Sequence, residues 1–153
     1  MIFNFSTTFA LAALLLSHVA HALPFAEHTT RGTTVRATFD ASYDNPSGSL
    51  NNVACSNGGN GLAALFPTFG NVPTFPFIGG VPGVVFNSPN CGGCWKLTNK
   101  TGASLIMTAV DSAGSSFNLA TEAFKILNGG QIGQGVMELD AKEIDRSACG
   151  LRR

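Results

Sequence analysis

Side chains able to do chemistry are few in this sequence, and they fall in four places. Asp40, Tyr43 and Asp44 sit within TFDASYD, Asn57 follows Cys55 by two, Cys91 and Cys94 flank two glycines, and Asp111 and Asn118 lie beyond them. A C-x-x-C pair suggests a redox centre, half a zinc site or two separate disulfide partners, and the compartment decides among them. Met1 to Ala22 looks like a secretory signal: Phe9 to Leu16 is an unbroken apolar run and Ala20-His21-Ala22 gives an A-x-A cleavage pattern, although no Lys or Arg precedes the run. That run is far short of the roughly 20 residues that span a bilayer, and no other stretch is apolar enough, so no membrane span is expected. A secreted chain of one domain's length with four cysteines reads as carrying two disulfides. Three pairings are open, one of them joining Cys91 to Cys94 directly. If Cys55 pairs with Cys91 and Cys94 with Cys149, each bridge closes a long loop and contributes roughly 4 kcal/mol in the loop-entropy model.

The same inventory excludes much. Of three histidines, His18 and His21 fall in the signal and only His28 remains, near the new terminus. No Ser-His-Asp triad, His-pair ribonuclease mechanism or multi-histidine metal site can be built from one imidazole, and paired cysteines remove a thiol nucleophile. Neither metal nor cofactor is expected. Formal net charge is zero and no basic block occurs apart from Arg152 and Arg153, so nucleic acid and acidic membrane surfaces are not expected partners. Carboxylates, hydroxyls, amides and aromatic faces remain. A sugar-binding groove needs those groups: polar ones for hydroxyl and N-acetyl groups, an aromatic face for the ring. Each residue also has a purely structural reading, with Asp111 capping the loop at Ser112, Asn118 capping a helix and Trp95 packing on a disulfide in the core.

Several elements must position these groups. Leu23 to Thr34 is polar and unpatterned and reads as a flexible arm. Val35 to Tyr43 alternates, with Val35, Ala37, Phe39 and Ala41 on one side and Arg36, Thr38, Asp40 and Ser42 on the other, which is the period of a half-buried strand. Asn45-Pro46-Ser47-Gly48 is a turn, and Gly61 to Phe66 suggests a short helix. The following segment, FPTFGNVPTFPFIGGVPGVVF, is dense in proline and phenylalanine and reads as an irregular apolar loop. It either folds over the core or forms an exposed apolar patch with surface activity. CWKLTN and ASLIMTAV form a β-hairpin across Lys100-Thr101-Gly102 and end at Asp111. Asn99-Lys100-Thr101 is an N-glycosylation sequon in that turn, which makes Asn99 a candidate glycan site. Asn118 reads as an N-cap, Leu119, Ala123, Phe124, Ile126 and Leu127 as the apolar face of a helix, and Gly129 as its stop. Gly135 to Asp145 reads as a last strand, through Met137, Leu139 and Ala141, which Cys149 ties back to the hairpin.

TFDASYD, VACSNG, FPTFGNVP, CGGCWKLT, AVDSAG, FN, AFKIL and SACG, in this order and spacing from Val35 to Gly150, resemble the cerato-platanin proteins of fungi. The resemblance implies a mainly β fold with short helices, a six-stranded double-psi β-barrel stapled by two disulfides, over residues 35–153. It also implies the pairings Cys55 to Cys91 and Cys94 to Cys149. The family is thought to bind oligosaccharides of N-acetylglucosamine, to loosen cellulosic or chitinous walls without cutting them, and to provoke plant defence, which implies a secreted protein at the cell wall and a plant receptor. Carried over residue by residue, the carbohydrate-binding set is Asp40, Tyr43, Asn57, Asp111 and Asn118. The rivals are a glycoside hydrolase using Asp111 with Asp40 or Asp44, and a surface-active elicitor acting through the apolar loop.

Overall fold

The computed structural model describes Met1 and residues 32–151; the expected signal and most of the expected arm lie outside the described residues. Alternating apolar positions build β1 (Thr33–Phe39), in which Ala37 is fully buried while Arg36 faces solvent. The strand takes in Thr33 and Thr34, two residues read above as arm, because they pair with Ala141 and Asp140. The remaining strands are β2 (Ile78–Pro82), β3 (Cys94–Thr98), β4 (Ser104–Ala113), β5 (Phe117–Leu119) and β6 (Met137–Ile144), and one helix, α1 (Thr121–Leu127), follows β5. They close into a barrel in the order β1-β5-β2-β4-β3-β6. β1 runs parallel to β5 and β2 parallel to β4, whereas the other neighbours are antiparallel. This is the six-stranded double-psi β-barrel expected above. Its interior is filled by Ala37, Ile78, Leu97, Met107, Phe117, Leu119 and Leu139, and each large buried side chain contributes about 1.5–3 kcal/mol. No helix among the described residues is long and apolar enough to cross a membrane.

Both expected disulfides are present, Cys55 to Cys91 with Cα atoms 5.3 Å apart and Cys94 to Cys149 at 5.7 Å, and no cysteine is free among the described residues. The β3–β4 hairpin and the last strand stand where the sequence placed them. Four local readings need correction. The first strand stops at Phe39, because the Asp40 carboxylate takes the Ser42 N–H and curls Ala41–Asp44 into a 3-10 turn. Gly61 to Phe66 forms turns rather than a helix, since Leu62 N–H and Ala63 N–H donate to the carbonyls of Cys55 and Ser56. The proline-rich segment does lie on the core through Phe69 and Val72, yet it contains β2, which ends at Pro82. Finally, Asn118 belongs to β5, and α1 begins only at Thr121.

Candidate functional site

The geometry of the site follows from one irregularity. Strict alternation along β4 would carry Leu105, Met107, Ala109 and then Asp111 into the barrel. The pairing with β2 instead jumps from Gly79↔Ala109 to Gly80↔Asp111, leaving Val110 as an extra residue. Such a bulge re-aims the side chains beyond it. Thr108, Ala109 and Val110 are buried in succession, and Asp111 emerges half-buried at the barrel end. The Val110 carbonyl accepts the Cys55 N–H, which couples the bulge to the disulfide loop.

Paired residues share a face of a sheet, so the register puts Asp111, Gly80, Asn118 and Thr38 in one row across β4, β2, β5 and β1. Gly80 is required there by close approach: a Cβ would lie 2.6 Å from the Ser112 carbonyl oxygen, and one on Gly79 would lie 2.2 Å from that of Asn118. Three donors fix Asp111. Tyr43 Oη donates to Oδ2 at 3.0 Å, while the N–H groups of Ala54 and Ser112 donate to Oδ1 at 2.9 and 2.7 Å. The Thr38 hydroxyl donates to Asn118 Oδ1 at 3.1 Å.

Asp40 stands at the head of the row, exposed. Its carboxyl is held below the usual carboxylate range, first by the backbone N–H and hydroxyl of Ser42 and lastly by the Asn118 side chain. Ser42 thus holds the Asp40 carboxylate, whereas Thr38 serves Asn118. Tyr43 is buried at 4% exposure, and its hydroxyl is pushed far above the ordinary tyrosine range. Burial is the main cause, followed by the charge of Asp111, the hydrogen bond donated to it and the charge of Asp40.

Four sequence-predicted residues, Asp40, Tyr43, Asp111 and Asn118, are therefore brought together. Asn57 is exposed and donates to Asn51 Oδ1 at 3.1 Å, without a hydrogen bond to the four. Asp44 does not join them either, since its Oδ1 accepts the Thr121 N–H at 2.7 Å and so caps α1 from 77 residues away in sequence. Trp95 packs edge-on against Phe117 with ring centroids 5.2 Å apart, the core reading. Asn99 is half-buried in the hairpin turn: Oδ1 accepts from Thr101 N–H, the Thr101 hydroxyl and Ala103 N–H, and Nδ2 donates to the Leu127 carbonyl at 2.7 Å. A cleft of about 500 Å³ opens between that turn and the end of α1, beside Arg36 and Met137, and shares none of the four clustered residues. Sequence reasoning did not find Ala54 and Gly80, whereas the Ser112 N–H on Asp111 is the loop cap read above, alongside the binding role. Ala54 acts through its backbone N–H, which carries no residue signature, but Gly79-Gly80 beside β-formers was a legible mark of close backbone approach.

Chemically, the cluster presents carboxylate and amide groups held by neighbours at the barrel end. No group of three or more metal-ligating side chains occurs among the described residues. Comparison with known proteins agrees with this fold. The chain is 41% identical over 149 residues to "Allergen Asp f 15" of Aspergillus fumigatus, covering 95% of this chain and 97% of that protein. It is 42% identical over 102 residues to "Cerato-platanin" of Ceratocystis fimbriata f. sp. platani, covering 66% and 76% respectively. The crystal structure of cerato-platanin 2 from M. perniciosa superposes with a TM-score of 0.73 at 46% identity, over 78% of this chain and all of that one. The cerato-platanin family model matches residues 35–151, from the first barrel strand to just past the last cysteine, and the chain belongs to the cerato-platanin family.

Proposed function

We propose that this is a secreted, non-catalytic, expansin-like protein that binds oligosaccharides of N-acetylglucosamine or cell-wall polysaccharide at the Asp40, Tyr43, Asp111 and Asn118 cluster, with Asn57 at its margin, and that loosens walls without cutting them. The observation that carries the reading is the way Asp111 is held. All three of its partners donate to it, which suits an acceptor for sugar hydroxyls. A general acid would instead need an apolar site that keeps it protonated. The rival bases are also engaged: the hydrogen bonds from Ser42 lower the basicity of the Asp40 carboxylate, and Asp44 caps a helix. Recognition of the protein by plants as an elicitor is a second reading, favoured by 39% identity to a protein whose solution structure is described as that of "the fungal elicitor Cerato-Platanin". A receptor surface belongs to that reading. Titration of labelled protein with N-acetylglucosamine and cellulose oligomers tests the proposal. Saturable shifts of the Ala54, Ser112 and Asn118 amides are expected with at least one series, and their absence with both would refute it.

A further inference from the structure

The cluster supplies hydrogen-bonding groups but no face on which a pyranose ring could stack, because Tyr43 is buried and Trp95 is half-buried against Phe117. Among the described residues the one strongly exposed aromatic side chain is Phe86, at 63% exposure. It stands in the loop after β2, the strand whose Gly80 pairs with both Asp111 and Asn118.

A continuous set of contacts joins that loop to the cluster. The Ala54 N–H binds Asp111, and the next residue, Cys55, is bridged to Cys91 at the end of the Phe86 loop. Asn60, on the same segment as Ala54, donates through its N–H to Asn87 Oδ1 and through Nδ2 to the Asn87 carbonyl, both at 2.9 Å. Gly58 lies against the Asn87 side chain, which a Cβ there would meet at 2.5 Å. The exposed Asn57 falls between these two anchor points in the chain.

The loop is also stiff. Asn87 sits in the left-handed region at φ 57°, Asn90 Nδ2 donates to the Gly83 carbonyl at 3.1 Å, and Arg146 donates to the Pro89 carbonyl. An apolar ring displayed on a fixed loop loses little conformational entropy when it meets a ligand.

We infer that Phe86 is a sugar-stacking residue, forming a further subsite beyond the Asp111 cluster for a pyranose unit of an extended oligosaccharide. The inference rests on the carbohydrate reading of the cluster. It assigns the exposed ring to recognition of longer chains rather than to interfacial activity.

Phe86→Ala and Phe86→Trp, compared with wild type on chitobiose and chitohexaose, test it by NMR titration. Phe86→Ala is expected to weaken chitohexaose binding about three- to tenfold, in line with the worth of an aromatic contact, and to leave chitobiose binding unchanged. Phe86→Trp is expected to keep or tighten chitohexaose binding, and upfield ring-current shifts of sugar protons should appear with wild type and vanish in the alanine variant. Equal chitohexaose affinity for wild type and Phe86→Ala would overturn the inference while leaving the cluster intact, and reduced adsorption of that variant to polystyrene alongside would assign Phe86 to surface activity. If wild type bound neither oligomer, the cluster reading would fail first and the subsite with it.

Discussion

Tyr43 offers a test at the scale of one proton. Its hydroxyl donates to Asp111 from a buried position between two carboxylates, so the neutral form is favoured and the folded-state pKa lies above the unfolded value of about 10. A raised folded pKa means that the stability gained from keeping this proton is fully present below pH about 10 and is lost as pH climbs through the folded value. Tyr43 is the only tyrosine, so absorbance near 295 nm reports it alone. We expect no tyrosinate signal until the alkaline unfolding transition, and an earlier onset in Asp111→Asn. A smooth titration centred near the free tyrosine value in the folded protein would contradict the burial. Asp40 has the opposite sign, its depressed pKa supplying stability above the usual carboxylate range that is lost as pH falls through the folded value. At this scale the grouping of Asp40, Tyr43, Asp111 and Asn118 was legible through the family resemblance, because all four are side chains in the motifs that carry it. The Ser112 donor was legible as the loop cap on Asp111, but the one from Ala54, 57 residues away in sequence, was not, since any residue except proline offers the same N–H.

Among the elements, β2 and the hairpin turn carry the decisive constraints. Gly79 and Gly80 let β2 approach β5 and β4, and an added methyl meets backbone oxygen at both positions. Gly80→Ala should therefore destabilise the protein by about 1–3 kcal/mol, as overpacking does, and shift the Asp111 and Asn118 amides even without ligand. Chemical denaturation measures the first, and an unchanged midpoint would mean that the strands can yield. Asn99 buckles the β3–β4 turn to α1 through its hydrogen bond to Leu127, so Asn99→Gln, which displaces the amide by one methylene, should cost about 1–2 kcal/mol. The Nδ2 that makes this bond is also the atom that would carry a glycan, so thermal unfolding of the two glycoforms should show the glycosylated chain as the less stable. These elements also mark where sequence reading stopped. β1 and β6 announce themselves by alternation and the hairpin by its β-branched and aliphatic, proline-free run, whereas β2 hides behind two glycines in a segment of four prolines, and β5 is only three residues long. Asn118 has the composition of a helix cap, but its neighbours Phe117 and Leu119 were claimed by pairing with Ala37 and Phe39, and the cap came from Asp44 instead.

The described residues form a closed barrel pinned at two points, with one bridge beside Ala54, the residue that binds Asp111, and the other tying the 3-10 turn at Arg146–Cys149 to the hairpin. The bridges join residues 36 and 55 apart in sequence, spans for which loop closure is worth about 4 kcal/mol each. Reduction should therefore lower the denaturation midpoint sharply, and a fully reduced protein with unchanged stability would contradict the assignment of both bridges as staples. The barrel was legible only through the family resemblance that the ordered motifs carry, while closure and the bulge at Val110 depend on pairings between distant segments. What the fold achieves is to fix Asp111 as a half-buried acceptor at the barrel end. The most direct test of that claim is a paired measurement on wild type and Asp111→Asn, following oligosaccharide affinity by titration and new reducing ends by chemical assay. We predict that the substitution weakens binding by about 1.5–3 kcal/mol, the worth of a charged hydrogen bond, and that wild type releases no reducing ends. Reducing ends released by wild type and abolished in Asp111→Asn, with binding retained, would contradict the account and make Asp111 a catalytic acid.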